Sequence, residues 1–126
     1  MNRNVFNWIE IYVSDMSRAI KFYSDVFKYE MNEMQVPEGM NIKMCSFPGN
    51  QDAPGAAGAL VQMEGFTPGG NGVIPYFSCE DCSAEQGRVE AAGGKIMKPK
   101  FPIGEYGFIA IITDSEGNAI GLHSMK

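Results

Sequence analysis

Trp8-Ile9-Glu10-Ile11-Tyr12-Val13-Ser14-Asp15, running straight into Met16-Ser17-Arg18-Ala19-Ile20-Lys21-Phe22-Tyr23, decides how the rest of the chain is read. The first part alternates. Ile9, Ile11 and Val13 share one face and Trp8, Glu10 and Tyr12 the other, which is the two-residue period of a β-strand. The aliphatic face predicts burial under a helix. The aromatic face, with its single carboxylate, suits the wall of a cavity. Ser14 or Asp15 stands where a side chain can cap the first free N–H groups of a helix. In that helix Met16, Ala19, Ile20, Tyr23, Val26 and Phe27 recur at helical spacing.

Strand, cap and amphipathic helix return at an offset of 66 residues, which carries Asp15 onto Asp81, Val13 onto Cys79 and Ser17 onto Ser83. After the first helix come Tyr29 to Val36, a turn at Pro37-Glu38-Gly39, a strand over Met40 to Phe47, a loop over Pro48 to Gly55 and a short strand over Gly58 to Met63. Gly65 to Gly72 is the most loop-like run and the natural linker. It divides one 126-residue domain into module 1 (1–64), linker (65–72) and module 2 (73–126). In module 2 the apolar run Val73 to Cys79 leads to a helix starting at Ser83, with Gln86 as capping-box partner and a stop at Gly93-Gly94. Strands then follow over Lys95 to Pro99, Phe108 to Thr113 and Ala119 to Ser124, the last two joined by a turn at Asp114 to Asn118. The repeat lives in pattern more than in letters. It predicts an α+β fold of paired βαβββ modules, whose curved mixed sheets enclose a cleft.

Bulk properties narrow the partners. A net charge of −5 and a pI near 4.8 remove the electrostatic basis for nucleic-acid binding. No apolar run approaches the roughly 20 residues that cross a bilayer, and the opening Met1-Asn2-Arg3-Asn4 lacks the apolar region of a signal peptide. The reading is a cytoplasmic protein with no membrane partner. Three cysteines do not form a disulfide framework. Cys79 and Cys82 lack a second Cys/His pair for zinc and read as structural.

Val13-x-Asp15-x-x-x-Ala19-x-x-Phe22-Tyr23 after the first strand, and Asp114-x-Glu116-Gly117-Asn118 before the last, resemble the vicinal oxygen chelate superfamily of glyoxalase I, bleomycin resistance proteins and extradiol dioxygenases. The close of the chain, from Pro102 to Gly107 and through Gly121 to Ser124, is similar to the branch related to lactoylglutathione lyase. The resemblance implies a homodimer and, for members that do chemistry, a divalent metal held by His and Glu on the first and last strands of each module. Those places fall here on Trp8, on Ile74, on Gly121 and near Val61 or Gln62. Carboxylate or imidazole donors are what such an ion wants, so the expectation is no metal and no cofactor, with a relocated site at Glu10 and His123 as the alternative.

Two polar residues share the expected cavity face, Glu10 and His123, the latter being the single histidine. They read either as an acid/base pair for proton transfer or as a buried ion pair or hydrogen bond that holds the sheet in register. Trp8, Tyr12 and Tyr76 give that face aromatic walls, as small-molecule sites have, and Met40 and Met44 add an adaptable surface. Tyr106, in the Pro102 to Gly107 loop, sits either on a lid or on a plain connection. Two functions follow: a metal-free cleft that takes up a small, partly apolar molecule, or a lyase-type enzyme using Glu10 and His123.

Overall fold

In a computed structural model, residues 3–36, 38–50 and 52–126 are described. Met1, Asn2, the Pro37 turn position and loop residue Gln51 lie outside them. The elements are β1 (Trp8–Tyr12), α1 (Met16–Phe27), β2 (Asn32–Met34), β3 (Ile42–Ser46), β4 (Ala57–Met63), β5 (Tyr76–Ser78), α2 (Cys82–Val89), β6 (Lys95–Pro102), a single 3-10 turn (Gly104–Tyr106), β7 (Phe108–Thr113) and β8 (Ala119–Ser124). They form two four-stranded mixed sheets, ordered β1-β4-β3-β2 and β5-β8-β7-β6. In each, the first strand lies parallel to the last, and the remaining pairs are antiparallel.

Alternation along the strands sorts the two faces. Ile11, Cys45 and Leu60 of the first sheet and Ala110, Ile112, Ile120 and Leu122 of the second join one hydrophobic cluster with the buried sides of both helices. At its centre an aromatic group, Tyr23, Phe27, Tyr29, Phe47 and Phe77, packs with ring centroids 4.7 to 6.3 Å apart. Both modules contribute, so neither buries its apolar face alone. The other face of each sheet carries Trp8, Glu10 and Tyr12 on β1 and Gly121 and His123 on β8.

The aliphatic face of β1 is not wholly covered. Ile11 and Val13 are buried, but Ile9 is 36% exposed, because β1 is an edge strand and its first residues reach past the helix. The second helix also begins differently from the expectation. Asp81 is the N-cap, accepting from the Ser83 N–H at 3.0 Å. Gln86 instead accepts from the Lys100 N–H at 2.7 Å, tying α2 to β6. β6 runs on to Pro102 through two register irregularities, and the segment beyond it is a tight turn with glycines at positive φ on both sides, Gly104 and Gly107.

A polar seam binds the modules. The Tyr23 hydroxyl donates to Asp114 at 2.7 Å inside the core, and burial beside that carboxylate raises the Tyr23 pKa well above its ordinary value. Glu116, with no side-chain exposure, accepts from the N–H groups of Ser14 and Asp15, the Ser14 and Ser115 hydroxyls and the Arg18 guanidinium, at 2.6 to 3.1 Å. Asn118 donates to the Tyr12 carbonyl at 2.8 Å and accepts from the Gly69 N–H. One side chain thereby joins β1, the linker and the last hairpin.

Candidate functional site

Three groups of side chains stand on the faces away from the helices. The first is on β1. The Tyr12 hydroxyl donates to Glu10 Oε1 at 2.7 Å and the Trp8 indole N–H to Glu10 Oε2 at 3.1 Å. The i, i+2, i+4 spacing of one strand face makes this possible. The bond to the Glu10 carboxylate raises the Tyr12 pKa, with burial and the nearby charge adding to it. Tyr12 also stacks on Phe66 from the linker, centroids 5.1 Å apart and planes 23° apart. Phe66 had no role in the sequence reading. The only signal for it was an aromatic residue in a glycine-rich run.

The second group pairs Tyr76 with Gly121. The two are register partners of β5 and β8, and the tyrosine ring occupies the space above the glycine. A Cβ built on Gly121 would stand 2.4 Å from two ring carbons of Tyr76. The ring therefore fills the space that a side chain at 121 would need, and remains 49% exposed on its outer side.

The third group is His123 with Tyr106. His123 Nε2 lies 2.7 Å from the Tyr106 carbonyl oxygen. A carbonyl only accepts, so Nε2 is the donor, and in the neutral imidazole Nδ1 is then the acceptor. This bond latches the 3-10 turn to β8 while the Tyr106 side chain stays 67% exposed. His123 is two residues from Gly121 and so shares its face with the Tyr76 ring.

Glu10 and His123 do not touch: each carries the hydrogen bonds just given, and no ion pair joins them among the described residues. Two cavities flank β1. One of about 250 Å³ is lined by Glu10, Tyr12, the linker and the start of β8. The other, about 310 Å³, is lined by Tyr76, Tyr29, Phe47 and the 54–58 segment. Ile9, Ile11 and Pro75 line both. Met40 is half-exposed and borders a separate groove with Met63 and Phe66, while Met44 lines another beside β2.

A divalent ion at the places implied by the resemblance does not fit the residues present. Trp8 offers only an indole N–H, already donated to Glu10. Ile74 precedes β5 and is aliphatic. Gly121 has no side chain and lies under the Tyr76 ring. Gln62 points to the helix side, where its Oε1 accepts from the Met16 N–H at 2.9 Å. Val61 is a buried aliphatic residue. Cys79 adds no soft ligand here. Burial, with Glu85 nearby, pushes its thiol up to about 12.

Comparison with known proteins gives this arrangement its relatives. The model of the Glyoxalase/Bleomycin resistance protein/Dioxygenase superfamily matches residues 5–122. A protein of Mycobacterium tuberculosis named "Putative glyoxylase CFP32" is 33% identical over 119 residues, which is 92% of this chain and 44% of that one; its Mycobacterium bovis counterpart matches equally. Among solved structures, glyoxalase I from Zea mays superposes with a TM-score of 0.73 at 21% identity, over 94% of this chain and 45% of that one. A hypothetical protein of Staphylococcus aureus, SA1046, superposes with 0.67 at 16% identity over 98% of both chains. The chain thus spans about half the length of the curated relatives it matches, and among the described residues no helix is long and apolar enough to cross a membrane. With paired βαβββ modules, mixed sheets ordered alike and a family match over nearly its whole length, this chain belongs to the Glyoxalase/Bleomycin resistance protein/Dioxygenase superfamily.

Proposed function

We propose that this protein binds a small, partly apolar molecule in a cleft that works without the family's divalent metal. The observation that carries this is the Tyr76 ring lying on Gly121. A position from which relatives are expected to offer a carboxylate is given over to an aromatic surface, which suits stacking rather than coordination. Trp8 and Tyr12 supply further aromatic wall, and Glu10 and His123 supply polar anchors on either side of it. The exposed side chains of Val5, Phe6 and Val73 are surfaces that a second copy of the chain would cover, in a homodimer.

Metal content of the purified protein, followed by calorimetric titration with nickel, zinc and manganese, tests the reading. The expected result is substoichiometric metal and no uptake at micromolar concentrations. One ion per chain, released by His123→Ala or Glu10→Gln, overturns it. One observation favours a second reading. His123 Nε2 donates to the Tyr106 carbonyl, which in the neutral imidazole leaves Nδ1 as the acceptor that a general base uses. Lyase-type turnover that His123→Ala abolishes while ligand binding persists would select this enzyme reading instead.

A further inference from the structure

Resting on that cleft reading, we propose that the ligand is an organic monocation, held with its charge at Glu10 between the Trp8 and Tyr12 rings. Among the described residues lining the cavity beside β1, Glu10 is the one carboxylate, and both donors that fix it are neutral: the Tyr12 hydroxyl at 2.7 Å and the Trp8 indole N–H at 3.1 Å. A carboxylate has about four acceptor positions, so two remain for a ligand. The ion pairs found elsewhere engage Arg18, Lys21, Arg88, Lys100 and Lys126 with other acids; none reaches Glu10 among the described residues. The charge at Glu10 is therefore oriented but not neutralised.

The surroundings select the sign and the size of the ligand. The un-neutralised carboxylate attracts a cation, and Tyr12, held by stacking on Phe66 at 5.1 Å, adds an aromatic wall to the cavity beside it. The adjoining cavity, about 250 Å³, is bordered by Glu10 and Tyr12 and otherwise walled by aliphatic side chains from Ile9 to Ile120, by glycine backbone, and by the neutral polar side chains of Thr67 and Asn118. That volume admits a fragment-sized molecule. An anion is opposed by Glu10 and by the net charge of −5. A neutral ligand with no N–H or O–H to donate would strip water from Glu10 without replacing it by a partner.

Three probes on one bicyclic frame separate the cases: 1-methylquinolinium, 4-methylquinoline at pH 8, where it is neutral, and quinoline-4-carboxylate, each titrated calorimetrically at low salt. The cation is expected to bind about tenfold more tightly than the neutral probe, a difference of about 1.4 kcal/mol, and the carboxylate not at all. Glu10→Gln should abolish the preference for the cation over the neutral probe. Trp8→Phe, which removes one donor and narrows the ring, should weaken the cation several-fold and serves as the second variant. Equal binding of cation and neutral probe, indifferent to Glu10→Gln, overturns this proposal while leaving the cleft reading intact. A preference that survives Glu10→Gln also overturns it. Failure of all three probes to bind overturns both.

Discussion

Replacing Glu116 by Gln tests the seam that holds the two modules together. Glu116 accepts from five groups, two of them the backbone N–H groups of Ser14 and Asp15 just ahead of α1. These bonds, Arg18 foremost, lower its carboxyl from the ordinary 4.5 to about 2. At about 1.4 kcal/mol per pH unit, that difference is worth about 3 kcal/mol of folding free energy. Arg18 is half-exposed, so its share is screened by water, and a loss of about 2 kcal/mol at pH 7 is expected. The sign of the pH dependence follows from the direction of the shift. A carboxyl whose folded pKa is depressed stabilises fully above 4.5, loses that contribution as pH falls from 4.5 to 2, and contributes nothing below. Gln does not titrate. Urea unfolding followed by circular dichroism at pH 7, 4 and 2.5, at constant ionic strength, should show wild type ahead by about 2 kcal/mol, then less, then almost level. A difference below about 0.5 kcal/mol at pH 7, or one that stays constant down to pH 2.5, refutes the reasoning.

Tyr23→Phe leaves Asp114 without its buried hydroxyl donor and should cost about 1–3 kcal/mol in the same assay; a neutral result would mean that water replaces the donor. Gly121→Ala forces the Tyr76 ring off the sheet. It should cost about 1 kcal/mol of stability and weaken any ligand that stacks there, read by thermal melting and by probe titration. With its thiol pushed up to about 12, Cys79 should react with iodoacetamide at pH 8 about a thousandfold more slowly than an unperturbed cysteine, as followed by mass spectrometry of the alkylated peptide. His123→Ala frees the Tyr106 carbonyl, and hydrogen exchange should quicken at Gly107, whose N–H closes the adjacent turn.

Much of the fold was legible because it rests on short-range periodicity. Ile11 and Val13 alternate against Trp8 and Glu10, Asp15 caps α1 by accepting from the Arg18 N–H, and the last strand ran from Ala119 to Ser124 as read. Capping at α2 differs from the expectation because Asp81 and Ser83 are both capping residue types two positions apart; Asp81 takes the Ser83 N–H, and the Ser83 hydroxyl itself donates to Asp81. A longer-range bond then claims Gln86 for Lys100, and local pattern carries no record of it. The site was legible in composition and not in geometry. Trp8, Glu10 and Tyr12 fall together because one strand face joins them. His123 binds the Tyr106 carbonyl rather than Glu10, since backbone 17 residues away in sequence came nearer than a side chain on the other sheet. The Asp114-x-Glu116-Gly117-Asn118 motif had been read as a hairpin and a family mark. It proved to be the clasp between modules, because its acceptors meet the free N–H groups ahead of α1.

The ring of Tyr76 and the bare backbone of Gly121 exclude each other's alternatives, since any side chain at 121 claims the volume that the ring fills. The two positions are therefore coupled in descent. A side chain gained at 121 displaces the ring at 76, and loss of that ring leaves room at 121. Read down a column of descendants, they would behave as one inherited character written in two letters.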